Sequence, residues 1–490
     1  MATRPRRDLD HGQAGGSRLA GGGMTTHDLT LHESHLDTLR DLVMRHDGVE
    51  GAAYMLCGVS RIGCDPWERQ SRQRLTSYEV TAIPQKDRIS ASDRHITWST
   101  SSFVHLLRKA KDSGLIPAII HSHPSGPAAF SEQDDRNERD LVQLAQNRNG
   151  PDAVLLSILL TGDGQIVARL WLDGRDPVEV DVRSVGRRLT FYGASHGAEV
   201  DFLARQALAF GPALNNTLRQ MRVGIVGCGG TGSASAMLLA RLGVGQIALF
   251  DDDIVEATNL NRLHGARRAD ADGMQAKVDV VAREIATLGL GVRAVPFRGW
   301  IGDPAARDAL KACDLIFGCT DDHDGRLLLN RLAYFYLIPV IDMGLAIAPA
   351  LNGGGVRDLS GRATVLIPGA PCLLCRGIID PVTARDEQLK RSQPEEYERR
   401  KREAYVRGGG NPAPAVVTFT TATACLAIDE MLQGLTGFRI SEGWEWQRVR
   451  RFDLMQDRRP GAAHDPDCPI CTDQAYWGRG DIDPFLDRVG

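Results

Sequence analysis

Apolar positions in the first part of the chain follow two different periods. Leu36, Leu39 and Val43 recur at helical spacing within 29–45, which predicts a helix there. The same spacing predicts two more helices, at 103–111 and 131–146. Short apolar runs bounded by Gly, Asp and Pro predict strands at 52–59, 78–83, 115–120, 153–161, 165–172 and 178–182. Together these elements indicate a mixed α/β unit that ends near residue 185.

A strand, a glycine-rich turn and a helix follow one another after residue 220. The apolar run 222–226 predicts the strand, 227–232 form the turn, and 233–242 carry the Ala and Leu residues of the helix. A strand is expected at 246–250, and strands and helices then alternate to about residue 350. This alternation predicts an α/β class with a doubly wound, Rossmann-like parallel sheet and helices on both faces. A last apolar helix is expected at 415–435.

Other segments lack the pattern of a packed core. Residues 1–23 are rich in Gly and Arg, which indicates a disordered arm. Residues 186–220 indicate a partly helical connector. The stretch 380–410 is so densely charged that we expect a crossover or lid-like loop with at most one exposed helix. The expected domains are therefore 24–185 and 221–455, with a carboxyl-terminal tail at 456–490.

Composition narrows the functional classes. The chain has 490 residues, of which 42% are hydrophobic and 24% charged, which is typical of globular proteins. The formal net charge of −4 gives no indication of a long basic groove, so nucleic acid is not an expected partner. No apolar run is long enough to cross a bilayer, so we expect a cytoplasmic protein without a membrane partner. The ten cysteines should then be reduced or bound to metal.

Two histidines at the end of a predicted strand form the first candidate site. Side chains alternate along a strand, so His121 and His123 point to the same side of the backbone. Asp134 arrives on the next predicted helix and can supply a third metal ligand. Three protein ligands that leave one position open are typical of a catalytic zinc site. Zinc in such a site lowers the pKa of its water toward ~7 and so provides a nucleophile at neutral pH.

The full spacing, His-x-His-x7-Ser-x2-Asp, resembles that of the JAMM metalloproteases of the JAB/MPN family. The resemblance implies that His121, His123 and Asp134 bind the catalytic Zn²⁺. It also implies that Ser131 helps to stabilise the oxyanion. Members of the family carry a general base on an early strand, and Glu50 occupies the matching context.

A glycine-rich turn forms the second candidate site. Gly227, Gly229, Gly230 and Gly232 follow a strand and open a helix, where bare backbone can approach phosphates. Asp251 follows about 20 residues later, the spacing at which a carboxylate reaches a ribose hydroxyl. On these residues alone, binding of NAD or of ATP is open.

The surrounding segments favour ATP, because they resemble the ThiF/MoeB/ubiquitin-activating family. Segments in the family's order carry the resemblance: Arg205-Gln206, Asp251 to Asp253, Asn259 with Arg262, Lys277, and Asp321-Asp322 with Arg326 and Asn330. The resemblance implies that Arg205, Arg262 and Lys277 offset phosphate charge, and that Asp321 ligates Mg²⁺. The chain departs from the family at Asp322, where Asn is usual, and at Leu263, where Gln is common.

Cysteine spacing indicates a structural zinc. Cys372-x2-Cys375 and Cys468-x2-Cys471 supply the four thiolates of a closed tetrahedral site. Relatives that form a thioester place a cysteine in or after the crossover loop, yet 376–424 contain none. Cys425 lies in an apolar helix and is expected in the core. We therefore expect adenylation without a thioester on this chain.

The two resemblances together predict a bifunctional enzyme. A zinc isopeptidase or peptidase would process a ubiquitin-like or sulfur-carrier protein ending in Gly, and the second domain would use ATP to adenylate its carboxyl terminus. A conjugating enzyme is a further expected partner. The resemblance also implies a homodimer in which Arg205 reaches across the interface. Two alternatives are open: adenylation of a small peptide or amino acid whose precursor the first domain processes, and a silent first domain that only docks the carrier.

Overall fold

The computed structural model describes residues 25–481, apart from 46, 93–95, 173–175, 194–199, 351–353, 403–413 and 440–442. The predicted arm at 1–23 lies outside the described residues, as does part of the 380–410 loop. No helix within the described ranges has the length and apolar character needed to cross a bilayer.

The amino-terminal unit is a strongly curved sheet with helices on both faces. Its elements are β1 Thr26–His32, α1 Glu33–Val43, β2 Ala52–Ile62, β3 Arg72–Ala82, β4 Arg88–Ala91, β5 Ile96–Trp98, α2 Thr100–Ser113, β6 Ile116–His123, α3 Glu132–Asn149, β7 Leu155–Thr161, β8 Ile166–Trp171, β9 Val178–Val185 and β10 Leu189–Tyr192. The strand order is β1-β3-β2-β6-β7-β8-β9-β10, and β1 also pairs with β9. The sheet therefore closes on itself.

Two hydrophobic cores hold this unit together. Leu36, Leu39 and Val43 of α1 pack against one face of the sheet. Helices α2 and α3 pack on the other face, around Phe103 and Trp171. The predicted helix at 29–45 is wrong at its start, because Leu29 and Leu31 are buried at a spacing of two in β1. The helix begins only at Glu33.

The second unit contains an eight-stranded sheet. Its elements are α4 Ala204–Phe210, α5 Pro212–Gln220, β11 Arg222–Val226, α6 Gly230–Leu242, β12 Gln246–Asp251, α7 Arg268–Asp272, α8 Lys277–Thr287, β13 Arg293–Arg298, α9 Pro304–Lys311, β14 Leu315–Gly318, α10 His323–Phe335, β15 Val340–Pro349, β16 Val356–Leu366, α11 Pro381–Ser392, α12 Pro394–Arg402, α13 Val417–Thr436, β17 Gln447–Arg451 and β18 Gln456–Arg458. The order is β13-β12-β11-β14-β15-β16-β17-β18.

The predicted α/β class is confirmed, with one extension of the sheet. Strands β11 to β15 are parallel, and α6, α8 and α13 cover one face while α9 and α10 cover the other. From β15 onward the pairing is antiparallel, which the sequence did not predict. The first sheet also reaches into the expected connector, because β10 pairs with β9.

The charged stretch at 380–410 carries two helices, so the expectation of at most one is wrong. Each helix begins with a proline at its first position, where the missing N–H costs no hydrogen bond. Asp380 caps α11 by accepting from the Val382 N–H at 3.0 Å. In α12, Glu396 pairs with Arg399 and Arg400 one turn later, which stabilises an exposed helix of charged residues.

Two candidate active sites and a cysteine cluster

The histidine pair lies at the carboxyl end of β6, between β2 and β7. The rings of His121 and His123 lie on the same side, with centroids 5.1 Å apart. Ser122 points the other way and is buried. Its Oγ donates to the Val43 carbonyl at 2.6 Å and accepts from the Gly51 N–H at 3.0 Å. Ser122 thus fixes the strand that presents the two imidazoles.

A capping box on α3 orients the third candidate ligand. Asp134 Oδ2 accepts from the backbone N–H and the Oγ of Ser131, at 2.7 and 2.8 Å, while Ser131 Oγ accepts from the Asp134 N–H. The other carboxylate oxygen lies 3.4 Å from His121 Nε2, and His123 Nε2 lies 3.8 Å from Oδ2. Ser131 therefore holds Asp134 in place; its expected role toward an oxyanion stays a prediction.

These three side chains fit a zinc ion. Their donor atoms lie within 4.8 Å of one another, and two imidazole nitrogens with one carboxylate form a donor set that zinc accepts. His121 Nε2 is buried and has no hydrogen-bond partner among the residues that the structure describes. His123 Nδ1 lies 3.2 Å from the Pro127 carbonyl, an acceptor that suits the tautomer in which Nε2 can bind a metal.

Glu50 stands beside this group, directly before β2. Its side chain is buried, and Oε1 lies 3.9 Å from His123 Nε2. A cavity of about 270 Å³ opens here, and Glu50, His121, Ser131 and Asp134 all line it. The cavity therefore combines a candidate metal site with a separate carboxylate that can accept a proton.

The second candidate site is a cavity of about 580 Å³ at the carboxyl ends of β11, β12, β13 and β14. Its floor is the glycine-rich turn. A Cβ on Gly232 would lie 1.8 Å from the Gly227 carbonyl oxygen, and Gly227 has a φ of +90°, which favours glycine. Bare backbone thus faces the cavity where α6 begins, with its N–H groups and positive dipole.

Lys277 lies among several of the carboxylates that line this cavity. Lys277 Nζ lies 2.6 Å from Asp253 Oδ2 and 3.8 Å from Asp251 Oδ1. Burial alone would lower the pKa of Lys277, but Asp251, Asp253 and Asp321 raise it overall, so the ammonium is charged. Burial raises the pKa of Asp251, and Lys277 opposes this effect. Asp251 Oδ2 also accepts from the Cys228 N–H at 2.6 Å.

The remaining predicted residues of this site fall into two groups. The residues that line the cavity include Gly229, Gly230, Asn259, Arg262 and Asp321. Asn259 Oδ1 accepts from the Glu256 N–H, and Arg262 donates to the Thr258 carbonyl at 2.6 Å. Arg205 is exposed on α4 and is not among the residues that line the cavity of its own chain.

The two departures from the family pattern have structural explanations. Asp322 caps α10, where its carboxylate accepts from the Gly325 N–H. An amide oxygen could accept the same bond, so either residue suits the helix start. Leu263 is buried in the core beside α6.

Cys372, Cys375, Cys468 and Cys471 converge on one point. The Sγ–Sγ distances of 3.9, 3.6 and 3.4 Å are close to the ~3.8 Å edge of a tetrahedron with Zn–S bonds of about 2.3 Å. The Asp465 N–H lies 3.4 Å from Cys375 Sγ, and His464 Nδ1 lies 3.3 Å from Cys471 Sγ. The cluster therefore fits a structural zinc. Sequence reasoning missed His464, which stands outside both Cys-x2-Cys pairs.

Cys425 is not in the core, contrary to the expectation from the sequence. The buried stripe of α13 runs through Ala424, Leu426, Ala427 and Met431, and this stripe leaves Cys425 exposed on the opposite side. Partial burial and nearby Asp429 raise the pKa of its thiol, so the reactive thiolate is disfavoured.

Comparisons with known protein families agree with the two-domain arrangement. A family model described as "ThiF family" matches residues 203–470, more than half of the chain. A second, described as prokaryotic homologs of the JAB domain, matches residues 32–172.

Curated relatives match over about a third of the chain. The SAMP-activating enzyme E1 of Haloferax volcanii is 29% identical over 34% of this chain and 56% of its own length. The adenylyltransferase and sulfurtransferase MOCS3 of Sus scrofa is 34% identical over 31% of this chain and 30% of its own length. The molybdopterin-synthase adenylyltransferase of Salmonella typhimurium is 32% identical over 32% of this chain and 59% of its own length. This chain thus spans less than two thirds of each of these relatives.

Solved structures that resemble the chain include E. coli MccB with ATP, at 21% identity and a TM-score of 0.41, over 56% of this chain and 75% of that one. By the match over 203–470 the chain belongs to the ThiF family, and by the match over 32–172 it is a fusion of a ThiF domain with an amino-terminal JAB domain.

Proposed function

We propose that this chain is a bifunctional enzyme that acts on the carboxyl terminus of a ubiquitin-like or sulfur-carrier protein ending in Gly. The ThiF domain adenylates the terminal carboxylate with ATP and Mg²⁺, and the JAB domain is a zinc-dependent isopeptidase or peptidase. The observation that carries the proposal is that most of the expected site residues line two separate cavities, with Arg262, Lys277 and Asp321 in one and Glu50, His121 and Asp134 in the other. The family membership and the names of the curated relatives support it.

In the ThiF domain the glycine-rich turn and the start of α6 bind the phosphates of ATP, and Asp251 binds the ribose. A carboxylate oxygen of the carrier forms a bond to the α-phosphorus of ATP. The bond from that phosphorus to the bridging oxygen breaks, and pyrophosphate leaves. Lys277 and Arg262 stabilise the negative charge that develops on the phosphate. Asp321 would hold Mg²⁺, which offsets the charge of the leaving pyrophosphate.

In the JAB domain His121, His123 and Asp134 would hold zinc, which supplies an acidified water and polarises the scissile carbonyl. Glu50 accepts a proton from the attacking water and transfers it to the leaving amine, so the amide C–N bond is replaced by a carboxylate and a free amine. Glu50 is buried and lines the same cavity as His121 and Asp134, which keeps its carboxylate close to the reacting atoms.

The adenylation half is tested by ATP–pyrophosphate exchange, with a purified Gly-ended ubiquitin-like or sulfur-carrier protein as the carrier. We expect exchange with the wild type and at least a hundredfold loss, about 3 kcal/mol, in Lys277→Ala. Lys109→Ala is the matched control, because Lys109 is an exposed lysine of the other domain. Full exchange by Lys277→Ala would contradict the proposal.

The peptidase half is tested by cleavage of the same carrier extended beyond its glycine. We expect Glu50→Gln to abolish cleavage while zinc stays bound. Glu179→Gln removes an exposed carboxylate of β9 and is expected to cleave normally. Cleavage by Glu50→Gln at the wild-type rate would contradict the role of Glu50, and absence of zinc-dependent cleavage by the wild type would favour a docking role for the domain.

A further inference from the structure

The JAB domain contacts one edge of the ThiF sheet. Arg222, the first residue of β11, bonds Asp65 at 2.9 Å, and Arg293, the first residue of β13, bonds Glu68 at 2.9 Å. Asp314, directly before β14, pairs with Arg74 at 3.2 Å. Strands β11, β13 and β14 run parallel, so these contacts all lie at the amino edge of the sheet.

The nucleotide cavity lies at the opposite edge. Gly227 follows β11, Gly299 follows β13 and Cys319 follows β14, and all three line the cavity. Parallel strands share one direction, so their carboxyl ends lie together, a strand length away from the JAB domain.

The zinc site of the JAB domain also lies away from the interface. Residues that contact the ThiF domain sit where β2 ends and β3 begins, and Ile62 pairs with Arg72 there. At the other end of β2, Ala52 pairs with His121. The full length of β2 therefore separates the interface from the histidine pair.

Strand lengths give the scale of the separation. At about 3.3 Å per residue, the 11 residues of β2 span roughly 35 Å and the 5 residues of β11 span roughly 15 Å. Measured along the strands, each site thus lies a strand length from the ionic contacts of the interface, and on the far side of its own sheet.

Buried ion pairs and backbone hydrogen bonds stabilise the contact between the two domains. Asp28, Asp65 and Asp314 are buried and paired with buried arginines of both domains. The carboxyl-terminal segment adds backbone bonds to each side: the Gly478 N–H donates to the Tyr334 carbonyl, and the Asp481 N–H donates to the Val59 carbonyl.

We infer that the two active sites open at opposite ends of the molecule, so a carrier freed at the zinc site dissociates into solvent before the nucleotide site adenylates it. This inference rests on the proposed function and gives the order of events for one carrier molecule. Hydrolysis first yields the free glycine carboxylate, and that carboxylate becomes the nucleophile in a second, separate binding event.

An isotope-dilution experiment tests this order. A ¹⁵N-labelled carrier with a short extension beyond its glycine is incubated with the wild type, ATP and a large excess of unlabelled mature carrier. Intact mass spectrometry then separates labelled from unlabelled adenylate. We expect the labelled share of the adenylate to equal the labelled share of the mature pool at each time point. Labelled adenylate above that share would show direct transfer and overturn the inference.

Two reference reactions separate this inference from the proposed function. The mature carrier with ATP reports adenylation alone, and the extended carrier without ATP reports cleavage alone. Absence of either product would overturn the proposed function and the inference with it. With both present, enrichment of label in the adenylate would overturn the inference only. A further control mixes Glu50→Gln chains with Lys277→Ala chains, so that each chain has only one intact site. With each intact site at its wild-type concentration, the adenylate should form with the wild-type time course. Slower formation of adenylate would count against free release.

Discussion

At the scale of single residues, Gly232 explains why the nucleotide turn needs its glycine. A Cβ at this position would lie 1.8 Å from the Gly227 carbonyl oxygen, well inside van der Waals contact. The turn would have to open, and the N–H groups at the start of α6 would no longer converge on phosphate.

We therefore expect Gly232→Ala to weaken ATP binding at least tenfold, about 1.4 kcal/mol, in isothermal titration calorimetry. Gly461→Ala is the matched control, because no other atom lies within 4 Å of a Cβ there. Binding of ATP by Gly232→Ala with wild-type affinity would show that this turn does not hold the phosphates.

Ser131 is a second residue whose geometry suggests a specific test. Its Oγ both caps α3 and bonds Asp134, so Ser131→Ala should leave the carboxylate with the backbone hydrogen bond alone and cost about 1 kcal/mol of helix capping. We expect zinc affinity at the histidine site to fall about tenfold in a competition titration. Asp380→Ala, which removes the side-chain cap of α11 in the other domain, should leave the affinity unchanged. Unchanged affinity in Ser131→Ala would leave the serine without this positioning role.

At the scale of elements, short-range pattern predicted most helices and strands, and long-range contacts decided the rest. The strand Arg222–Val226 and the helix start after the glycines follow from local sequence. The first strand, β1, does not follow from local sequence. Leu29 and Leu31 are compatible with a helix, and only pairing with β3 and β9 makes this segment a strand. The antiparallel extension beyond β15 likewise depends on pairing between distant segments.

Candidate site residues were predictable to a similar extent. The histidine pair, Asp134 and the four cysteines meet as their spacing predicts. The ionic contacts between the domains were not predictable, because Asp65 and Asp314 belong to no motif and their partners come from the other domain.

Two neighbouring histidines at the start of α1 predict a pH dependence of stability. Burial lowers the pKa of His32 to about 4, and burial together with nearby His32 lowers the pKa of His35 to about 4, although Glu79 opposes this. Ser34 and Ser77 bond the two rings, and Trp477 packs against His32. The unfolded chain takes up these protons near pH 6.5, so it binds more protons than the folded chain between pH 6.5 and 4.

The free energy of unfolding should therefore be highest above pH 6.5. It should decrease as the pH falls toward 4, by up to about 3 kcal/mol for each histidine. Urea denaturation across this range measures the slope. His35→Gln is expected to reduce the slope, and His105→Gln, at an exposed position on α2, is expected to leave it unchanged. An identical slope in His35→Gln and the wild type would contradict the assignment.

The cysteine cluster should also control the segment that follows it. After Cys471 the chain bonds both domains, with the Thr76 hydroxyl donating to the Gly478 carbonyl at 2.5 Å. Cys468→Ser should remove zinc and raise hydrogen exchange in 474–481. Cys425→Ser, at an exposed cysteine, is the control. Unchanged exchange after verified loss of zinc would show that the segment holds its place without the metal.

At the scale of the whole molecule, the two candidate cavities lie in different domains, and ionic contacts join these domains. The interface lies at the amino ends of the parallel strands of the ThiF sheet and, in the JAB sheet, where β2 ends and β3 begins. Both cavities stay open in this arrangement. Under the proposed function, a fusion of this kind keeps the two activities at equal concentration without requiring one site to pass its product to the other.

Intact mass spectrometry of an extended, Gly-ended carrier incubated with the wild type and ATP tests the central claim most directly. We predict a carrier that has lost its extension and gained one AMP, with Lys277→Ala giving loss of the extension alone and Glu50→Gln giving neither change. A carrier of unchanged mass after incubation with the zinc-loaded wild type would contradict the assignment of both activities.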